Sequence, residues 1–206
     1  MSGESEAAMT IGKRTLWTAF LLFPMAMSAQ TAVLDPALLA NANSGDAAAQ
    51  VALGEHCATG SGGERSKRQM AEDYRQAADW FRKAAEQDNL AGELHLAALY
   101  RDGLGVARDM AQAVLWYRKA AEQNNVTAQG TLGVLYSFGQ GVAQNYVEAY
   151  FWFELAASVV GPEQAKYAAN RQLAGAHITA EELDAIQDRV AQWKGAHPRP
   201  PAAPAQ

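Results

Sequence analysis

The sequence predicts an all-α protein: an α-solenoid of antiparallel helix-turn-helix repeats, closed by a C-terminal helical cap. Tryptophan recurs at an identical spacing of 36 residues, at Trp80, Trp116 and Trp152. Self-similarity at such a period is the signature of a repeat architecture. Composition agrees, because the 49% of apolar residues are dominated by alanine, which suits closely packed helices better than a β-sandwich.

Each repeat is predicted to contain two helices, named helix A and helix B here. Helix A carries a Leu-Gly/Ala-x-x-Tyr block, at residues 96–100 and 132–136. Helix B carries alanine and aromatic residues around each tryptophan, at the offsets of 3, 4 and 7 that place them on one helical face. A Gly-x-Gly sequence between the helices, at residues 103–105 and 139–141, supplies the positive φ of a sharp turn. Asp109 and Asn145 are predicted to cap helix B.

These patterns divide the chain into segments. The repeats are predicted at about 46–88, 89–124 and 125–158, and the first carries a Gly- and Ser-rich insertion. Residues 30–45 are expected to form a linker. Residues 159–196 are expected to form the cap, because Pro162 suits the first turn of a helix and Thr179 with Glu182 forms a capping box. The Pro- and Ala-rich segment 197–206 has the composition of a disordered tail.

The N-terminal segment 1–29 has the pattern of a signal peptide, with Met9 as an alternative start. Lys13 and Arg14 precede the apolar run 16–27, and the small residues Ser28 and Ala29 follow it. The run is too short to span a bilayer. The pattern predicts cleavage near Ala29, a periplasmic or secreted protein, and no transmembrane segment in the mature chain. The alternative is a core helix of the mature domain.

The repeat sequence resembles the Sel1-like repeat family, which is related to the tetratricopeptide repeat. The resemblance rests on the Leu-Gly-x-x-Tyr-x-x-Gly-x-Gly-Val block followed by Ala-x-x-Trp-Tyr-x-Lys-Ala-Ala-Glu-Gln, nearly complete at 96–123 and clear at 132–157. It implies an adaptor or scaffold. Some secreted, cysteine-rich members are described as β-lactamase-like or penicillin-binding, with paired cysteines in every repeat. This chain has only Cys57, where the repeat has tyrosine, so a cell-envelope enzyme or peptidoglycan-binding protein stays the alternative.

Charge and motifs argue against other classes of function. The net charge of −5 and the lack of a basic run disfavour nucleic acid as a partner. No catalytic nucleophile with an adjacent base, no metal-ligand spacing and no cofactor motif is visible, so no catalytic residue, metal or cofactor is predicted. The single Cys57 is expected to be a small buried residue, and the tryptophans are expected to pack in the core.

The most plausible function from sequence is binding of a protein or peptide of the cell envelope by a monomer. In stacked hairpins the A helices commonly line a concave surface. Positions on helix A that vary between repeats are therefore the candidates for partner binding: Gln50, Glu93, His95, Gln129 and Thr131.

Overall fold

The computed structural model describes residues 35–60 and 65–198. All regular secondary structure in these residues is α-helical, which confirms the predicted fold class. The described helices are α1 (Pro36–Asn43), α2 (Ala47–Thr59), α3 (Lys67–Ala85), α4 (Leu90–Asp102), α5 (Met110–Glu122), α6 (Val126–Phe138), α7 (Tyr146–Ala157), α8 (Gln164–Gly175) and α9 (Ala180–Ala196). The predicted signal peptide and residues 199–206 of the predicted tail lie outside the described residues.

Three successive hairpins form the solenoid, with helix A as α2, α4 and α6 and helix B as α3, α5 and α7. The predicted linker 30–45 is corrected, because it contains α1. Asp35 caps this short helix, with Pro36 in its first turn. Ala42 of α1 is buried, and its carbonyl accepts a hydrogen bond from the Gln50 side chain at 3.1 Å. Packing against α2 therefore stabilises a helix too short to be stable alone.

Local sequence sets where the helices begin and end. The predicted N-caps are confirmed: Asp109 accepts from the backbone of α5 at 3.0 Å, and Asn145 does the same for α7. Helix A ends at Gly103 and Gly139, whose φ values of 71° and 66° are left-handed. The second glycine of each turn has a different role. A methyl group on Gly141 would lie 2.3 Å from a backbone carbonyl at the start of α5, so only glycine allows this contact.

The core consists mainly of alanines and of the aromatic residue that follows each tryptophan. Phe81, Tyr117 and Phe153 are buried, and the rings of Phe81 and Phe153 lie on a glycine of helix A. The prediction of a tryptophan core holds for Trp152 only. Trp80 and Trp116 are half-buried, since their position faces outward and a lysine ammonium lies over each ring, at 4.0 and 4.9 Å.

The two helices of the predicted C-terminal cap are present. α8 begins at Gln164, so Pro162 lies in the turn before this helix and not in its first turn, which corrects that prediction. α8 packs against α7, and the Thr179–Glu182 capping box opens α9. α9 then lies on α7, where Ile186 and Val190 are buried and Trp193 meets the Trp152 ring edge to face at 5.3 Å. This helix explains why only the third tryptophan of the repeat is buried. Across residues 35–60 and 65–198, no helix combines the length and hydropathy needed to cross a membrane.

Candidate functional site

Helix A has two faces, and the five predicted partner-binding residues are divided between them. Gln50, Glu93 and Gln129 occupy equivalent positions and are buried, with exposed fractions of 4%, 1% and 0%. His95 and Thr131 come two residues later, about 200° further around the helix. The expectation that the first three present their side chains to a partner is therefore corrected, because those side chains are buried among the helices of the solenoid.

The buried polar position hydrogen-bonds at the C-terminal end of a helix packed against helix A. Gln129 donates to the carbonyl of Ala121 at the end of the preceding helix B, at 3.2 Å. Glu93 lies at the same place in α4, and its carboxylate accepts from Gln123 Nε2 at 2.9 Å. Burial raises the pKa of Glu93 to about 7, against the weaker opposing effect of Lys119. A carboxyl thus occupies a site where the other two repeats have a neutral amide.

His95 and Thr131 are partly exposed, and both have partners within the chain. The imidazole of His95 stacks on Phe81 with ring centroids 4.5 Å apart, and its Nε2 lies 3.0 Å from Glu55 Oε1. The Thr131 hydroxyl donates to the carbonyl of Thr127 at 2.8 Å. The structure does not bring these two side chains to one pocket. It leaves them on the accessible side of helix A, one repeat apart.

A groove lies at the C-terminal end of the solenoid, where α8 packs beside α6 and α7. It has a volume of about 400 Å³, within the roughly 300–1,000 Å³ of ligand pockets. Two large apolar side chains flank it, Phe138 at 70% and Leu173 at 69% exposure. We name it the α6–α8 groove; its lining residues are Val134, Ser137, Phe138, Gln144, Tyr146, Phe153, Asn170, Leu173, Ala174 and His177.

Fixed polar side chains form one wall of the α6–α8 groove. Gln144 donates to the carbonyl of Ser137 at 2.7 Å and to the Tyr146 hydroxyl at 3.0 Å. His177 stacks on Tyr146 with ring centroids 4.1 Å apart. These contacts order the wall in advance of any ligand, which lowers the entropy cost of binding. None of the lining residues, all within the described range, is Asp, Glu, Lys or Arg.

The residues of α6 that line the groove differ from those at the equivalent positions of α2 and α4, whereas the leucine and the small residue of the helix A block recur. Phe138 corresponds to Asp102 in α4 and to Thr59 in α2. Val134 and Phe138 follow Thr131 by three and seven residues, so all three share one helical face. Thr131, which was predicted from variation between repeats, therefore lies on the same face of α6 as the groove residues, one turn before them. The other half of the groove comes from α8, which carries no repeat motif.

Potential metal ligands and the single cysteine are the side chains that bear on chemistry at this surface. Within residues 35–60 and 65–198, no three His, Cys, Asp or Glu side chains gather as a metal site. Cys57 is half-buried, not fully buried as expected. Burial and the nearby Asp73 carboxylate both raise the pKa of its thiol, which disfavours the reactive thiolate.

A stack of helical hairpins of this kind defines an α-solenoid. Residues 47–89, 91–125 and 127–158 match the Sel1 repeat, and the protein belongs to the Sel1 repeat family. Sel1 repeat proteins typically mediate protein–protein interactions and are generally non-catalytic. Among curated proteins, none matches the chain significantly.

Two solved structures share the fold. A Sel1 repeat protein from Oxalobacter formigenes is 33% identical, with a TM-score of 0.53, over 61% of this chain and 92% of that one. A protective antigen of uropathogenic Escherichia coli strains, described as displaying an SLR fold, is 24% identical with a TM-score of 0.54. This second match covers 82% of the present chain but only 44% of the antigen, so the chain spans less than half of that protein.

Proposed function

We propose that the protein is an exported interaction module that binds an apolar, extended segment of a cell-envelope protein in the α6–α8 groove. The observation that carries the proposal is the pairing of Phe138 and Leu173, two highly exposed apolar side chains on opposite helices of one groove. Exposed apolar residues that cluster around a concavity mark binding sites, whereas single ones do not.

The chemistry of the groove favours one class of ligand. Its lining contains no Asp, Glu, Lys or Arg that could pair with a charged side chain. Ser137, Gln144 and Asn170 provide hydroxyl and amide groups that can bond a peptide backbone, while Val134 and Phe153 line an apolar pocket for a side chain. A bulky apolar side chain within an extended peptide fits this combination.

The proposal of export has a separate basis in the sequence. Lys13 and Arg14, the apolar run 16–27 and the following Ser28 and Ala29 have the pattern of a cleavable signal peptide. N-terminal sequencing of the protein from fractionated cells tests this point. A mature N-terminus near residue 30 in the periplasm or medium is expected, and an unprocessed cytoplasmic protein would contradict export.

Binding is tested by photocrosslinking in living cells, with the reactive amino acid at Asn170 on the groove rim. The matched control position is the exposed Glu86 at the end of α3. We expect one protein to crosslink from Asn170 and not from Glu86. The captured protein is then purified and titrated against the wild type and against the double variant Phe138→Ala/Leu173→Ala.

Two large exposed side chains contribute little to folding, so the double variant is expected to unfold like the wild type. Loss of two apolar anchors should weaken binding by about 2 kcal/mol or more, which is roughly thirtyfold in Kd. Equal affinities for wild type and variant would refute the groove as the binding site. Capture of cell-wall fragments in place of a protein would favour the peptidoglycan-binding alternative.

A further inference from the structure

The polar side chains of the α6–α8 groove differ in how many of their hydrogen-bonding groups the fold already uses. Ser137 donates its hydroxyl hydrogen to the carbonyl of Gly133, at 2.8 Å. Gln144 uses both N–H groups of its amide, on the Ser137 carbonyl and on the Tyr146 hydroxyl. An acceptor oxygen remains on each for a ligand, Ser137 Oγ and Gln144 Oε1. Neither oxygen accepts a hydrogen bond from another described residue.

Asn170 of α8 has its whole side-chain amide available. The residue is half-buried and lines the groove, and no hydrogen bond joins its side chain to another described residue. Asparagine inside a helix is less favourable than alanine. In the described chain, no side-chain hydrogen bond offsets this cost at position 170. A ligand that pairs with the amide supplies the missing partner.

The preceding repeat shows that the structural bond of Gln144 does not require glutamine. Arg108 stands 36 residues earlier, and its Nε donates to the carbonyl of Arg101 at 2.9 Å. Arg101 is equivalent to Ser137, so Arg108 and Gln144 donate to the same carbonyl of helix A in their repeats. A guanidinium has no acceptor. Glutamine therefore keeps this bond and adds an acceptor oxygen to the groove.

We infer that Asn170 and Gln144 bind the main chain of an extended peptide in the α6–α8 groove. The inference rests on the proposed function and specifies how that groove recognises its ligand. Each residue of an extended segment points its N–H and C=O groups to the same side. The Asn170 amide, with one donor group and one acceptor, bonds both groups of one ligand residue. Gln144 Oε1 accepts from the N–H of another.

This mode of binding defines the class of ligand. A helical segment uses its N–H and C=O groups internally, so it makes neither bond. Proline has no N–H and is excluded from both bonded positions. One bulky apolar side chain is selected by Phe138 and Leu173, whereas the flanking side chains are not read. Replacement of Asn170 alone leaves the Gln144 bond and both apolar anchors, so covalent capture from position 170 still proceeds.

A peptide selected for this groove tests the inference with the full chain. Random peptides displayed on phage are selected on the wild type and counter-selected on Phe138→Ala/Leu173→Ala. The best peptide is resynthesised with one main-chain amide at a time replaced by an ester, which removes one N–H and adds no bulk. Titration of each ester peptide then measures what each N–H contributes to affinity.

Two variants of the protein complete double-mutant cycles with the ester peptides. Asn170→Ala removes the free amide of α8. Gln144→Arg removes the acceptor oxygen and should keep the bond to the Ser137 carbonyl, because Arg108 makes the equivalent bond. Gln172→Ala is the matched control, since this exposed amide of α8 does not line the groove.

We expect two ester positions to weaken binding to the wild type by about tenfold each. One should have no further effect in Asn170→Ala and the other none in Gln144→Arg, because the bond is already absent there. Gln172→Ala should leave both effects unchanged. Ester effects that are equal in every variant would overturn the inference and leave the groove as the binding site. Selection of no peptide that depends on Phe138 and Leu173 would refute the proposed function as well.

Discussion

Glu93 makes the stability of this fold depend on pH, and the replacement Glu93→Gln removes that dependence. The carboxyl is buried in helix A, and its pKa is raised from 4.5 to about 7. The folded protein therefore binds a proton at a pH where the unfolded chain has released it. Stability from this group is complete below about pH 4.5, falls between about pH 4.5 and 7, and stays low above that range.

The size of the effect follows from the same values. A tenfold change in acid dissociation corresponds to about 1.4 kcal/mol, so ionisation of Glu93 costs the folded state up to about 3 kcal/mol. The neutral amide of the Glu93→Gln variant would carry no such cost. This amide could also donate to the carbonyl of Ala85, because Gln129 donates to the equivalent Ala121. The amide oxygen would still accept from Gln123.

Urea unfolding followed by circular dichroism measures the effect at about pH 4.5 and about pH 8. We expect the wild type to lose up to about 3 kcal/mol between the two conditions relative to Glu93→Gln, and the variant to be the more stable protein at the higher pH. Glu86→Gln, the same change at an exposed site, controls for net charge. Identical pH dependence in wild type and Glu93→Gln would refute the proposed role of burial.

Three further predictions concern packing and the C-terminal cap. Gly133→Ala should lower the free energy of unfolding in urea by about 1–3 kcal/mol, since its methyl group would lie 2.6 Å from the Phe153 ring of α7. Gly195→Ala is the control: the space around this glycine is open, so the change should stabilise α9 by about 0.5–1 kcal/mol. Trp193→Ala should destabilise the protein by about 3 kcal/mol and expose α9 to proteolysis, and retained protease resistance would contradict the docking of α9. Arg171 pairs with Glu154 at 2.7 Å, so Glu154→Arg should destabilise the α7–α8 contact by about 1 kcal/mol through charge repulsion. The double variant Glu154→Arg/Arg171→Glu should recover most of the loss in a double-mutant cycle.

The fold was predictable because its determinants are local and repeated. The 36-residue period, the N-caps Asp109 and Asn145 and the Thr179 capping box each specify structure within a few residues of sequence. α1 also has local signals, Asp35 as its N-cap and Pro36 in its first turn, but it lies outside the 36-residue period. Its residues 36–43 show no amphipathic period, and the helix is held by tertiary contacts, among them the bond from Gln50 to Ala42.

The candidate site was harder to predict because a residue that varies between repeats can either contact a ligand at the surface or form a buried structural hydrogen bond. Gln50, Glu93 and Gln129 vary and are polar, yet they are buried since each is satisfied by hydrogen bonds near the end of a neighbouring helix. The sequence shows that these three residues are polar, but not which groups form hydrogen bonds with them. The groove also depends on α8, which the repeat pattern does not mark, so its position required the three-dimensional arrangement.

The α6–α8 groove lies where the regular repeats end, and this position has a physical reason. In α4, the positions equivalent to Ser137 and Phe138 are Arg101 and Asp102, which pair with each other at 2.8 Å and remain hydrated. At the junction with the cap, the corresponding residues are uncharged, and Leu173 of α8 adds a second exposed apolar side chain. An apolar residue that stays exposed adds nothing to the hydrophobic stability of the fold. Under the proposed function, a ligand in the groove buries both of them.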